Sequence, residues 1–197
     1  MNNKNLNKQV FSFQDQIDFL KDCGIEINDD DFSSLLDIND EEDYERQEFD
    51  LLFLELSAPD KHGNYLSPNL FFLDAQPLNL DYVSIFKNLL RITQFEDKIT
   101  NVVQNVFSDG IKLSFRYNST EGVIGLQYDE YIDANILNKF SELFKHEFED
   151  RCLFVYNPWI DRDDVYDVVV GCVDYTYFSK ITKFFENKIK VQCIENQ

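Results

Sequence analysis

The sequence predicts an α+β fold with a mixed, largely antiparallel sheet and helices packed mainly on one face. Residues 111–128 contain two runs in which apolar and polar side chains alternate, which is typical of a hairpin with one covered face. From 111 to 194 the segments follow the order β-β-α-β-β-α-β. The apolar run 168–173 has no polar face, as expected for a central strand buried on both sides. These three observations define the expected class.

The N-terminal third contains two predicted helices, a polar stretch and a predicted strand. Ser12 and Asp15 have the spacing of a capping box ahead of an apolar stripe, so a helix is expected to begin after Ser12. Residues 29–38 open with aspartates, which stabilise a helix N-terminus, and a second short helix is expected there. The stretch 39–48 has no aliphatic side chain, and the apolar run 49–57 is expected to form the first strand.

The middle of the chain contains another predicted strand and two predicted helices. Residues 69–75 form an apolar run after a loop rich in turn residues, which is typical of a strand. Asn79 is a candidate N-cap for a helix that continues to about Thr93, with apolar residues three and four positions apart. The segment 95–107 has related spacing, so we expect a further helix there.

The C-terminal part has the clearest pattern. The loop 118–122 is expected to connect the two strands of the hairpin, and Asp133 is placed to cap a long amphipathic helix. The remaining expected elements are strands at 152–158 and 165–173, a helix at 177–189 and a short strand at 191–194.

Length and composition are those of one folded domain, 1–197. Hydrophobic residues make up 44% of the chain, with 19 Phe and 10 Tyr, which is ample material for a core. The first twelve residues are rich in Asn and Lys and are expected to fray. We expect no secretory signal, because residues 1–13 contain no long apolar core, and no apolar run approaches the roughly 20 residues that span a bilayer. The four cysteines have no close spacing and are expected to be buried and reduced, so a cytoplasmic protein is predicted.

No motif in the sequence assigns a catalytic residue, a metal ligand or a cofactor. His146 lacks the second histidine, four residues later, that a zinc-protease helix requires. Asp161 and Asp163 match the first two ligands of a calcium loop, but the later ligand and the glycine are missing. A metal-dependent enzyme that uses the carboxylates of 161–167 is therefore kept as an alternative.

Charge is the feature that sets this chain apart. The 37 acidic and 18 basic residues give a net charge of −19. Residues 29–60 contain 13 acidic side chains and one basic side chain, Arg46. Such a charge repels phosphates and anionic lipids, so neither direct nucleic-acid binding nor membrane binding is expected. Two interpretations of the segment stay open: a solvated surface that serves solubility, or a docking surface for a cationic partner.

The acidic segment is the predicted contact surface for a partner. Tyr44 lies within it, and interfaces combine aromatic side chains with charges that steer encounter. A second acidic cluster follows the single tryptophan, Trp159. The predicted partner-binding residues are Asp40, Glu41, Glu42, Asp43, Tyr44, Glu45, Glu48, Trp159, Asp161, Asp163 and Asp164.

The predicted function is that of an immunity protein, which neutralises a basic protein such as a cationic toxin or nuclease by direct binding. Its carboxylates would occupy positions that a nuclease cleft normally offers to phosphates. A mimic of DNA that occupies a nucleic-acid-binding protein is a close relative of this idea. A regulatory or scaffold module whose acidity serves only solubility is the further alternative. A monomer is favoured, because acidic surfaces repel each other.

Overall fold

A computed structural model describes residues 11–28, 33–36, 39–74, 80–127, 132–133, 135–146, 150–159, 167–186 and 189–192. The α-helices in these ranges are α1 (Phe13–Asp22), α2 (Ser33–Leu36), α3 (Glu41–Arg46), α4 (Asp50–Ser57), α5 (Tyr82–Thr93), α6 (Asn135–Phe144) and α7 (Tyr175–Phe184). The strands are β1 (Leu70–Leu73), β2 (Ile99–Phe107), β3 (Gly110–Tyr117), β4 (Thr120–Leu126), β5 (Arg151–Tyr156), β6 (Val168–Asp174) and β7 (Ile189–Gln192).

The strands form two antiparallel sheets, which confirms the expected α+β class. One sheet has four strands in the order β1-β6-β5-β7, and the other has three in the order β2-β3-β4. The order β-β-α-β-β-α-β expected after residue 110 is confirmed, from β3 to β7. Strand β6 lies between β1 and β5 and is buried along most of its length, so the expected central strand is confirmed as well.

Helices contact both faces of the four-stranded sheet. Val169 and Val173 of β6 belong to a core cluster that includes residues of α1, α4 and α7. Val170 and Cys172, which alternate with them, belong to a second cluster with residues of α5 and α6. Alternate side chains of a strand point to opposite faces, so the two clusters lie on opposite sides of this sheet. Packing of helices mainly on one face is therefore not established.

The three-stranded sheet has one face in the core. Leu113 and Phe115 of β3 and Ile124 of β4 are buried, and the Phe115 ring lies 5.0 Å from the ring of Phe86 in α5. The β3–β4 connection is shorter than the loop expected at 118–122. It is a two-residue turn in which both residues have positive φ, the geometry that matches the twist of a hairpin.

Two predictions of secondary structure are wrong. The run 49–57 was expected to be a strand, but it forms helix α4, whose buried Leu52, Phe53 and Leu56 lie three and four residues apart. Segment 95–107 was expected to be a helix, but most of it forms strand β2, which pairs with β3. Short apolar runs fit both periods, and the strand pairing decides between them. The β-branched residues of β2 also favour a strand.

The predicted helix caps Ser12 and Asp133 are confirmed. Ser12 accepts a hydrogen bond from the Asp15 N–H at 3.1 Å and donates its own N–H to the Asp15 carboxylate at 3.3 Å, which completes the capping box of α1. The Asp133 carboxylate accepts the N–H of Asn135 at the start of α6. Helix α5 is capped by Asp81. The prediction of Asn79 as the cap is therefore wrong, and Asn79 itself lies outside the described residues.

Candidate protein-interaction surface

Helix α3 forms in the polar stretch because its acidic residues lie at the helix N-terminus. Asp40 is the N-cap and accepts the Asp43 N–H at 3.1 Å. Glu41, Glu42 and Asp43 occupy the first turn, where negative charge interacts favourably with the helix dipole. Part of the acidity therefore has a local structural role, which the composition alone did not indicate.

The carboxylates of α3 and its flanks form an accessible acidic surface, which we call the α3 surface: Asp40, Glu41, Glu42, Asp43, Glu45 and Glu48. The first three are exposed and the others are half-buried. Arg46 contacts Glu42 at 3.3 Å and Asp43 at 3.5 Å. Exposed pairs of this kind contribute up to about 1 kcal/mol. One guanidinium among six carboxylates leaves the surface strongly negative.

Gln16 anchors the acidic segment to the core. Its side chain is fully buried, and its Nε2 donates to the Tyr44 carbonyl at 3.0 Å. Its Oε1 accepts the N–H of Phe49 at 2.7 Å. One side chain of α1 therefore holds the backbone at α3 and at the start of α4. The acidic segment is consequently a folded part of the domain between these points.

Tyr44 lies in the core, so its predicted place on the exposed contact surface is corrected. The side chain is fully buried, and its ring centroid lies 4.8 Å from that of Phe13. Its hydroxyl donates to the Leu35 carbonyl at 3.0 Å. Burial raises the pKa of the phenol to about 12, so it stays a neutral donor. Tyr44 is the hydrophobic anchor of α3, and it presents no ring to a partner.

Other acidic side chains between 50 and 60 interact within the fold. Asp50 accepts a hydrogen bond from the Tyr156 hydroxyl. Glu55 lies 3.4 Å from the Asn39 amide nitrogen, and burial raises the pKa of this carboxyl above its ordinary value. Because these carboxylates have partners inside the protein, the α3 surface is restricted to residues 40–48.

The second predicted cluster is only partly described. Trp159 is half-buried, and its backbone N–H donates to the Asn157 side chain at 2.8 Å. Asp161, Asp163 and Asp164 lie outside the described residues. Their predicted role in partner binding therefore stays a prediction.

Metal binding and thiol chemistry depend on the His, Cys, Asp and Glu side chains among the described residues. Within the ranges given above, no group of three or more His, Cys, Asp or Glu residues is arranged to hold a metal ion. Cys23, Cys152 and Cys172 are free and buried, which confirms the expectation for these three. Burial raises the pKa of Cys23 to about 11 and that of Cys172 to about 12, so both thiols stay protonated and are poor nucleophiles.

The open face of the three-stranded sheet carries apolar side chains that the sequence pattern did not predict. Val103 is 50% exposed, Phe107 is 46% exposed and Val123 is 58% exposed. The alternation in β3 indicated that one face would be covered. Because 95–107 was expected to be a helix, its exposed side chains were not assigned to the same surface.

The chain matches no protein-family profile, no curated protein and no solved structure. In the part of the chain that the structure describes, every helix is too short or too polar to cross a membrane. A proposal about function therefore depends on the geometry and charge of the surface itself.

Proposed function

We propose that this chain is an acidic binding protein that neutralises a basic protein partner through the α3 surface, as an immunity protein does with a cationic nuclease toxin. One observation carries the proposal: the six carboxylates lie on a segment that Gln16 and Tyr44 fasten to the core. Solubility requires charge but does not require such anchoring.

Anchoring matters because binding loses less conformational entropy when the contact groups are already ordered. The exposed Asp40, Glu41 and Glu42 are close together in sequence and surround a helix N-terminus. A basic cleft that normally holds successive phosphates would meet several negative charges at once. Opposite charge would also raise the association rate, toward about 10⁸–10⁹ M⁻¹s⁻¹ at low salt.

The test reverses three charges of the α3 surface. The variant E41K/E42K/E45K is compared with E26K/E142K/E186K, which changes the net charge by the same amount at exposed acidic residues outside the segment 29–60. Each purified protein is added to a panel of basic ribonuclease and deoxyribonuclease toxin domains, and substrate cleavage is measured at low and at high salt. Circular dichroism checks that each variant is folded.

We expect the parent protein and the control variant to inhibit a member of the panel, and the α3 variant to lose inhibition. The inhibition should weaken as salt increases, because screening reduces the attraction between the two surfaces. Full inhibition by E41K/E42K/E45K would exclude the α3 surface as the contact surface for the toxin. Equal loss in the two variants would show that net charge acts without a defined contact surface.

A further inference from the structure

The outer face of the three-stranded sheet carries a short row of three side chains, two valines with a serine between them. The register places Val103 and Val123 opposite Ser114, so all three side chains lie on the same face. The two valines are at least half exposed. At the far end of the same face, Phe107 is 46% exposed. Apolar side chains grouped on one exposed face are a candidate contact surface for a partner.

Basic side chains lie on both sides of this row. Lys112 and Arg116 alternate with Ser114 along β3 and therefore point to the same outer face. The Lys112 ammonium lies 5.0 Å from the centre of the Phe107 ring. Glu121 is paired with Arg116 across β3 and β4. This face therefore has more cations than anions, although the chain as a whole has a net charge of −19.

A bulge shapes one end of the face. The pairing of β2 and β3 shifts between Thr100 and Val103, and Asn101 has a φ of 55°. A depression of about 330 Å³ lies beside this bulge. The residues that line it are Asn101, Ser114, Phe115, Arg116, Glu121, Gly122 and Val123, so it holds one basic and one acidic side chain. The Arg116 guanidinium therefore lies at an open concave site where it could bind a partner's carboxylate, against the repulsion of the neighbouring Glu121.

The size of the face favours a peptide segment over a second copy of the chain. Three strands about 4.8 Å apart and about seven residues long give a face of roughly 350 Å². A stable dimer buries about 800 Å² on each partner. A second copy would also bring a further net charge of −19. An extended segment of a few residues fits the length of β3 and needs no larger area.

We propose that this face binds an extended acidic segment of another protein, with an aliphatic side chain on the valine row and carboxylates at Lys112 and Arg116. These two residues are four positions apart, or about 13 Å along a strand. Two carboxylates four positions apart in the segment match that distance, with the aliphatic residue midway. This inference does not depend on the α3 surface, and either proposal can fail alone.

The probe is a capped synthetic peptide with the sequence glutamate-serine-valine-serine-glutamate. Alternate residues of an extended chain share a face, so both glutamates and the valine would point to the sheet. Two control peptides replace the glutamates by lysine or place the glutamates side by side. Binding is measured through backbone amide shifts of the labelled full-length protein. The variant K112E/R116E is compared with K87E/K183E, which has the same change in charge on helices α5 and α7.

We expect shifts in β3 and β4 with the first peptide, and affinity about tenfold weaker in K112E/R116E because two charge-assisted contacts are lost. K87E/K183E should bind as the parent does. The proposal is overturned if no peptide binds, if the lysine or adjacent-glutamate peptide binds equally well, or if the two variants lose the same affinity. It is also overturned if sedimentation shows a dimer whose formation shifts the same amides without peptide. Thermal melts verify that K112E/R116E is folded.

Discussion

At the scale of single residues, Gly171 shows how the central strand limits its own sequence. Gly171 pairs with Leu70 of β1 and with Phe154 of β5. A Cβ at this position would lie 2.3 Å from the Phe154 ring and 2.7 Å from the Leu70 side chain. Glycine is therefore needed here because two large neighbours occupy the space of a side chain.

Replacing Gly171 by alanine is expected to lower the free energy of unfolding by about 2–3 kcal/mol, because the core must shift to admit a methyl group. Gly125→Ala is the matched control, since a Cβ at Gly125 would meet no atom within 4 Å. Urea unfolding of both variants measures the difference. Similar stability for the two variants would mean that the Phe154 ring moves away at little cost.

Tyr44 shows that residue type alone does not determine whether an aromatic side chain is exposed or buried. The sequence places an aromatic ring among six carboxylates, which is equally typical of a contact surface and of a short helix with one buried anchor. In the structure Tyr44 is a buried anchor, because its ring packs on Phe13 of α1 and its hydroxyl donates a hydrogen bond to the carbonyl of Leu35. Both contacts join segments that are separate in sequence, so no local pattern could predict them.

At the scale of elements, Gln16 connects α1 with α3 and α4. Its amide makes buried hydrogen bonds to the backbone of Tyr44 and Phe49. Gln16→Leu would leave a carbonyl and an N–H without their partner in the core. The expected loss in stability is about 2–4 kcal/mol, because each buried polar group left unsatisfied costs about 1–3 kcal/mol.

The measurement for Gln16→Leu is amide hydrogen exchange combined with urea unfolding. Exchange should accelerate most in residues 39–50, where the anchored backbone lies. Gln14→Leu serves as the control, because Gln14 is exposed on the same helix and its side chain donates a hydrogen bond to Asp18, one turn further along that helix. If both substitutions change the exchange rates and the free energy of unfolding equally and only slightly, Gln16 does not anchor this segment.

The elements that the sequence predicted well have local causes. The capping box of α1 involves Ser12 and Asp15, three residues apart. The alternation of apolar and polar residues in β3 and β4 predicts a hairpin because each strand pairs with its neighbour in sequence. The predictions for 49–57 and 95–107 were wrong because a short apolar run is compatible with both a helix and a strand. Their state depends on whether a partner strand is present, which is information from distant parts of the chain.

At the scale of the whole molecule, the net charge of −19 is expected to make stability depend on salt. Like charges repel most in the compact state, and screening reduces that repulsion. Raising sodium chloride from low to physiological concentration should therefore increase the free energy of unfolding, by about 1 kcal/mol, or a rise of about 2–4 °C in Tm.

Calorimetry at several salt concentrations measures this effect. E41K/E42K/E45K should show a smaller rise than the parent protein, because it removes charge from the densest acidic segment. A Tm that falls with salt would show that attractive ion pairs, such as the one between Lys180 and Asp22, outweigh the repulsion.

The sequence by itself determined the α+β class, the order of elements after residue 110 and the concentration of negative charge between 29 and 60. These properties follow from composition and from contacts between residues near each other in the chain. Only the tertiary structure decided that 49–57 is a helix, that Tyr44 is buried and that Val103 and Val123 share an open face. Each of these outcomes depends on which distant segment supplies the neighbouring surface, and packing of the complete chain settles that choice.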